Sequence, residues 1–370
     1  MSAHRTDRAW LAVDLAAVVE NWRALAGRAP GAVCGAVVKA DAYGLGAAEI
    51  GRALSRAGCG VFFVATPAEG AVLRHALAAA TAEILVFDGD VEDDAARYDR
   101  HRLTPVLGTL EALARWSRHA RAQGGRRAAL MLDTGMSRLG LGEPDVATVA
   151  SEPDRLAGIE LAFVMSHLAC ADSPHHPLNA GQKAAFDAMR ARLPAAPASF
   201  ANSAGILLGP EFHYDLLRPG AALYGLSVVS GRANPMRRAV RLRARILQTR
   251  IVDSESPVGY GADRLIAAGS TLATIAMGYA DGLPRALGDR GSGRIGGTPV
   301  PLVGRVSMDL ATLDVTGIEP GLIRPGCVVD LIDDEHDADA LAAEAGTIGY
   351  EILARIGRRV RRIHRFGADG

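Results

Sequence analysis

The chain has 370 residues, 49% of them hydrophobic and 22% charged, and its 41 Lys plus Arg balance 41 Asp plus Glu. That length exceeds one ordinary domain and predicts two, with a large core available. The balanced charge excludes a basic surface for nucleic acid or an anionic membrane, and the scattered cysteines Cys34, Cys59, Cys170 and Cys327 form neither a disulfide frame nor a zinc site.

The first apolar stretch, WLAVDLAAVV at 10–19, is interrupted by Asp14 and followed by Glu20, Asn21 and Trp22. It lacks the unbroken apolar run of a signal peptide or membrane span, so a cytoplasmic location is expected. From about residue 33 to 218 one pattern repeats: a short apolar run, a small or polar turn, then a segment of helical period. The runs are AVCGAVV, VFFVAT, AEILVF, LTPVL, RAALML, IELAFVM, ASFAN and YDLLR. Segments such as AAEIGRALSRAG, TLEALARWSRHARAQ and AGQKAAFDAMRARL lie between them. Near-continuous apolar strands joined by helical crossovers predict a parallel sheet with covered faces, and eight units point to a closed (β/α)8 TIM-like barrel. Periodicity leaves an open doubly wound sheet as the alternative. After about residue 235, RAVRLRARILQTRIV alternates apolar and basic residues at strand period, and GTPVPLVGRVSMDLATLDVTG and RPGCVVDLI are rich in short strand and turn signals. Residues 338–356 read as helical again, split by Gly346 and Gly349. The expected division is a barrel domain over 1–234 and a mainly β C-terminal domain over 235–370.

In a parallel barrel, functional side chains gather at the C-terminal ends of the strands. Those positions hold Lys39 after the first strand, Asp133 and the following Arg138 after the fifth, and His167 after the sixth. Asn202 and Ser203 follow the seventh, and Arg218 ends the eighth before Pro219, Gly220 and Ala221. Taken singly these are ordinary features: a paired lysine, a helix cap, a turn. Their shared register is not ordinary. Ser203 and the small-residue turn after Arg218 suit a phosphate, and a phosphate site facing a strand-end amine suits a cofactor with an aldehyde at its other end. Pyridoxal 5'-phosphate fits, with Lys39 as the amine that condenses with it.

The segments AVVKADAYGLG, LDTGMSRLG, SHLACAD, ANSAGI, LRPGAALYG, VGYGADR, MGYADGLPR, VGRVSMDLATLDVT and GTIGYEILARIGRRV resemble those of alanine racemases, fold-type III pyridoxal phosphate enzymes, nearly end to end. The resemblance implies a homodimer with active sites shared across subunits. It implies Lys39 and Tyr260 as the two bases, Tyr260 reaching in from the partner subunit. Tyr43, Ser203, Gly220, Ala221 and Tyr350 would hold the phosphate, with Arg138, His167, Asn202 and Arg218 around the rest of the cofactor. Arg138, Tyr279, Met308 and Asp309 would meet the substrate. No metal is expected.

Racemisation removes a Cα proton from one face and returns one to the other, which calls for two bases. Lysine and tyrosine, with reference pKa values of about 10.4 and about 10, need positive neighbours or burial to serve near neutral pH. Arg218 and His167 are expected to form a hydrogen-bonded chain from the cofactor towards Tyr260. Arg218, always protonated, would donate to the ring nitrogen without surrendering a proton.

One position departs from the family pattern. Many relatives place a carbamylated lysine two residues before the Asp of DTGM; here Met131 stands there, so Arg138 must be held otherwise, by an ion or water. Added bicarbonate should therefore leave activity unchanged, which a rate measurement with and without it checks. Leu45 and Asp41 replace the histidine and asparagine usual after the lysine. A serine or broad-spectrum racemase shares nearly every motif and stays open. A lone-barrel carrier would lack Tyr260 and SMD, and a decarboxylase would show a different lysine context. The resemblance suits either the supply of D-alanine for peptidoglycan or its degradation.

Overall fold

The computed structural model describes residues 7–77, 81–89 and 95–367. The chain opens with β1 (Ala9–Asp14) and α1 (Leu15–Ala26). Asp14 caps that helix, its Oδ1 accepting from Ala16 N at 2.8 Å and Ala17 N at 3.1 Å. The first predicted run is split by Gly35 into β2 (Val33–Cys34) and β3 (Ala36–Val37), and the one-turn segment α2 (Lys39–Gly44) and α3 (Ala47–Arg56) follow. The succeeding units are β4 (Val61–Val64) with α4 (Pro67–Leu77), β5 (Glu83–Val86) with α5 (Ala95–His101), and β6 (Leu103–Leu107) with α6 (Leu110–Ala122). Then come β7 (Arg126–Met131) with α7 (Glu143–Ser151), β8 (Ile159–Met165) with α8 (Leu178–Arg190), β9 (Ala198–Ser199) with α9 (Ser203–Leu208), and β10 (Leu216–Leu217).

Strands β3 to β9 form one seven-stranded parallel sheet in sequence order. The eighth run closes the curl. β10 pairs in parallel with β2, the Asp215 and Arg218 amides donate to Ala198 O and Ala201 O at 3.0 Å each, and Asn202 bridges Arg218. The runs read as continuously apolar because both faces are covered. Val37, Phe63, Leu85, Val106, Ala129, Met165 and Leu216 supply one side chain per strand to an inner cluster, while the larger core lies between strands and helices.

The C-terminal part contributes β11 (Val240–Ile251), β12 (Ser256–Val258), β13 (Arg264–Ile266), β14 (Thr271–Ile275), β15 (Ser292–Ile295), β16 (Thr298–Pro301), β17 (Ala311–Asp314) and β18 (Val328–Ile332). After them come α10 (Ala338–Ala345), α11 (Gly349–Arg355) and β19 (Arg361–Arg365). Its sheet runs β16-β15-β18-β11-β1-β19, with β14 pairing to β11 and β17 to β14. The chain-initial β1 therefore sits in this second sheet, antiparallel to β11 and parallel to β19.

The second sheet and its helices grip the turn that follows Lys39. Ala40, Asp41, Ala42 and Tyr43 all take left-handed φ between 51° and 57°, a conformation that costs L-residues about 1–2 kcal/mol each. Surrounding bonds hold it: Asp41 Oδ1 accepts from Ala47 N at 2.7 Å, Arg362 Nε donates to Gly44 O at 2.9 Å, and His364 Nε2 lies 2.6 Å from Leu45 O. Gly44 continues the turn at φ 80°, and a Cβ there would meet Leu353 O of α11 at 2.5 Å. Gly44→Ala should cost about 2–5 kcal/mol, combining left-handed strain with overpacking. Gly297 has a similar φ of 84° with nothing near its Cβ position, so Gly297→Ala isolates the strain. Equal losses for the two variants in urea unfolding would rule out the clash with α11.

Candidate active site

The strand-end residues converge as their register predicts. A cavity of about 530 Å³ at the C-terminal mouth of the barrel is lined by Lys39, Tyr43, His167, Asn202, Ser203, Arg218, Gly220 and Ala221, with Tyr350 entering from α11. A neighbouring cavity of about 550 Å³ shares Lys39, Phe87 and His167 and adds Met131, Asp133 and Arg138.

Lys39 follows β3 and its side chain is half-buried, the ammonium 5.8 Å from the Phe87 ring centroid. Burial lowers its pKa, the Arg138 charge lowers it further, and Glu69 partly opposes both. Glu69 is spent on backbone instead of pairing the amine: Oε1 accepts from Ala40 N at 2.9 Å and Oε2 from Ala65 N at 2.8 Å.

Arg138 lies in the loop after β7. Asp133 Oδ1 shapes that loop by accepting the amides of Gly135, Met136 and Ser137 at 3.0 to 3.1 Å. Burial alone would raise the Asp133 pKa; the three amides outweigh it and hold the carboxyl below its usual range. The loop is thus organised without a side-chain hydrogen bond from Met131 among the described residues, and the Met131 carbonyl accepts from Leu141 N at 2.8 Å.

Arg218 is 2% exposed. Its Nη1 donates to Ser199 Oγ at 2.5 Å and its Nη2 to Ser166 O at 2.6 Å, while its buried Nε has no partner among the described residues. The expected hydrogen-bonded chain from Arg218 to His167 does not form: the serine hydroxyl and the Ser166 and Phe200 carbonyls take both terminal nitrogens. Burial, then the charges of Arg218, Arg138 and Lys39, push His167 down to about 3, so it stands neutral. Unfolded histidine titrates near 6.5 and this one near 3, so the unfolded chain binds the extra proton between those values and stability falls as pH drops through that window. His167→Asn should flatten that decline by up to about 1.4 kcal/mol per pH unit. Thermal midpoints of cofactor-free protein across pH 3–7 check it, and identical slopes would count against a buried neutral His167.

At the far end of the cavity Ser203 Oγ accepts from Gly220 N at 2.8 Å and Ala222 N at 3.3 Å. Asn202 lines the cavity and also caps α9, its Oδ1 accepting from Gly205 N at 2.9 Å. The Tyr43 and Tyr350 rings lie 6.3 Å apart. Burial raises the pKa of both, Tyr350 to about 12 with Asp339 and Asp172 adding to it, so each keeps a proton to donate.

This chain fits a phosphorylated aromatic aldehyde on three counts. An amine of lowered pKa stands at one side, and an unpartnered buried N–H waits for a ring nitrogen. At Gly220 the missing side chain leaves room, since a Cβ there would meet Tyr43 Oη at 2.6 Å.

The remaining predicted residues are not brought to this cavity within one chain. Tyr260, 71% exposed, begins the turn between β12 and β13; Tyr279 is 43% exposed and Met308 53% exposed. Tyr279 N and Ala280 N donate to Ser307 O and Met308 O at 3.0 and 2.9 Å, and Arg359 Nη2 holds Asp309 at 2.7 Å. Sequence reasoning missed Phe87, Glu69, Ser166 and Ser199. Phe87 ends a predicted strand, and Glu69 completes a Thr66-to-Glu69 capping pattern, with Glu69 N bonded to Thr66 Oγ1 at 3.3 Å. The two serines gave no pattern to read.

Residues 13–228 match the family model described as "Alanine racemase, N-terminal domain", and 239–364 match "Alanine racemase, C-terminal domain". The chain is 49% identical over 357 residues to an alanine racemase of Rhodospirillum rubrum, covering 96% of this chain and 95% of the relative. It is 46% identical over 353 residues to a catabolic alanine racemase of Agrobacterium fabrum, covering 95% and 91%. A crystal structure of alanine racemase from Bartonella henselae with covalently bound pyridoxal phosphate superposes with a TM-score of 0.92 at 36% identity, covering 97% and 99%. With both halves matched and the strand-end constellation in place, this chain belongs to the alanine racemase family.

Proposed function

We propose that this protein is a pyridoxal 5'-phosphate-dependent isomerase that interconverts L-alanine and D-alanine through two bases, Lys39 and Tyr260 of the partner subunit. The observation that carries this reading is that Lys39 and Arg218, whose buried Nε has no partner among the described residues, line one cavity. When bound, the cofactor supplies an electron sink that acidifies the Cα proton of the amino acid. Tyr43, Ser203, Gly220, Ala221 and Tyr350 would hold its phosphate, and Arg218 Nε would donate to its ring nitrogen. His167 and Asn202 flank it. Lys39, with its lowered pKa, takes or returns the Cα proton on one face, and Tyr260 does so on the other. Arg138 pairs with the substrate carboxylate, and the partner's Tyr279, Met308 and Asp309 border it.

A homodimer is part of the reading, because Tyr260 is exposed where it stands and lies outside its own chain's cavity. So are a domain division near residues 234 and 235 and a cytoplasmic location. Among the described residues no helix is long and apolar enough to cross a membrane. D-Alanine supply for peptidoglycan and D-alanine breakdown both suit the chemistry; the Agrobacterium relative is described as catabolic.

The test is conversion of each L-amino acid to its D-form across a panel, with cofactor-loaded protein. Alanine should be fastest. Faster conversion of serine or lysine would assign a broad-spectrum or serine racemase, and no conversion of any amino acid would sink the activity.

A further inference from the structure

Behind the cavity wall lies a buried side-chain amide that the chemistry above does not use. The inward face of α8 carries Asn179, Gln182, Phe186 and Met189, so a glutamine occupies a core position of the helix. Gln182 is 0% exposed. Its Oε1 accepts from Ala169 N at 2.8 Å, and its Nε2 donates to His167 O at 2.9 Å and to Thr134 Oγ1 at 3.4 Å. Thr134 Oγ1 lies 2.8 Å from Ser166 Oγ, and the Ser166 carbonyl accepts from Arg218. One amide therefore ties the loop after β7, which carries Arg138, to the loop after β8, which carries His167 and the lining residue Ala169.

We propose that Gln182 is a positioning residue that fixes the His167 loop against the Arg138 loop and so shapes the cofactor side of the cavity. The chemistry admits few substitutes. Ala169 N–H requires an acceptor and His167 C=O requires a donor, and a primary amide offers both from one side chain. Leucine offers neither. A glutamate offers the acceptor, but it faces the His167 carbonyl with a second oxygen unless it is protonated.

The inference rests on the proposed function for its activity readout but not for its binding readout. Gln182→Leu should bind pyridoxal phosphate about tenfold more weakly and lower kcat/KM about tenfold or more, as expected when a supporting bond is lost and reacting groups shift. The Ala169 amide should lose hydrogen-exchange protection in cofactor-free protein. Gln182→Glu should approach wild type at low pH and fall away as its buried carboxyl ionises, a pH limb absent from both wild type and Gln182→Leu. The titratable groups tied to that position through these bonds are His167, pushed down to about 3, and Arg218, lowered to about 10, and the Thr134 loop adds Asp133, whose carboxyl lies below its usual range. None of these changes charge between pH 5 and 9, so a new limb in the variant-to-wild-type ratio belongs to Glu at 182.

A flat ratio for Gln182→Glu, or cofactor binding by Gln182→Leu within twofold of wild type, overturns the proposal. If Gln182→Leu fails to fold, the Gln182→Glu profile decides alone. Should wild type racemise nothing while cofactor binding and Ala169 exchange change as stated, the positioning role stands and the activity reading falls.

Discussion

Lys39→Ala and Tyr260→Phe should each be inactive alone, yet a mixture of the two allowed to exchange subunits should recover racemisation. In a randomly assorted equimolar mixture about half the dimers are mixed, and each mixed dimer pairs one intact Lys39 with one intact Tyr260, giving about one quarter of wild-type activity. The single losses follow from the groups removed. Deleting a general base costs about 10²–10⁴-fold, and Lys39→Ala also removes the amine that retains the cofactor. Borohydride reduction followed by mass spectrometry should find cofactor on residue 39 in wild type and on no residue in Lys39→Ala. The recovery follows from where Tyr260 stands. Its turn is set by Gly259 at φ 74° and Gly261 at φ 85°, and it packs beside Arg305, close in sequence to Ser307 and Met308. Tyr260 is 71% exposed and Met308 53% exposed within one chain, as a partner-facing pair would be. If Tyr260 acted within its own chain, both variants would lack a complete site in every dimer, and mixing would restore nothing. A null mixture with verified exchange therefore removes the shared site.

The parts legible in the sequence were those governed by local pattern. Eight apolar runs became strands because burial on both faces leaves no polar alternation, and their ends placed Lys39, His167 and Arg218 in one ring. The closed barrel followed from the count of eight units, but periodicity alone could not show the pairing that closes it, β10 meeting β2 from the other end of the barrel sequence. Nor was the left-handed turn at Ala40–Tyr43 legible: none of its four residues is glycine, and its support comes from Glu69, Arg362 and His364, distant in sequence. The stretch at 10–19 was read only against a signal peptide or membrane span, and that it holds a strand lying between β11 and β19 was not legible. The link from Arg218 to His167 failed for a physical reason. A buried guanidinium takes the nearest acceptors, and the carbonyls of Ser166 and Phe200 come with the backbone, whereas the His167 ring already sits near the charges of Arg138 and Lys39 as well as Arg218. Gln182 was invisible as a functional residue because its two shortest bonds, to Ala169 N and His167 O, go to main-chain groups that any sequence supplies.

Replacing Arg218 by glutamate should change what the enzyme makes, more than how tightly it holds its ligands. Burial lowers the Arg218 pKa only to about 10, so the guanidinium keeps its proton throughout the working range. Nη1 and Nη2 are committed to Ser199 and Ser166, which fixes Nε before any ligand arrives. In the proposed mechanism, a donor that cannot give up its proton would leave the ring nitrogen of the cofactor uncharged and its electron withdrawal moderate, so that Lys39 or Tyr260 would return the proton to Cα quickly. A glutamic acid at this buried position has a raised pKa and can pass its proton to that nitrogen. Stronger withdrawal would lengthen the life of the deprotonated substrate and open a competing transfer of its amino group to the cofactor, with water supplying the keto oxygen of the pyruvate released. Arg218→Glu should lower racemisation by about 10²-fold or more and raise pyruvate formed per racemisation event. The swap also turns a carboxyl towards the carbonyl of Ser166 and leaves Ser199 Oγ without its donor, costing about 3–5 kcal/mol. Arg218→Lys separates the two effects, because lysine keeps the charge and cannot span Ser199 and Ser166 at once. It should lose stability and rate while leaving the product ratio near wild type. Pyruvate measured by coupled reduction, against D-alanine measured in the same reaction, gives the ratio directly. An unchanged ratio in Arg218→Glu, with cofactor still bound, would show that the ring nitrogen does not depend on this residue.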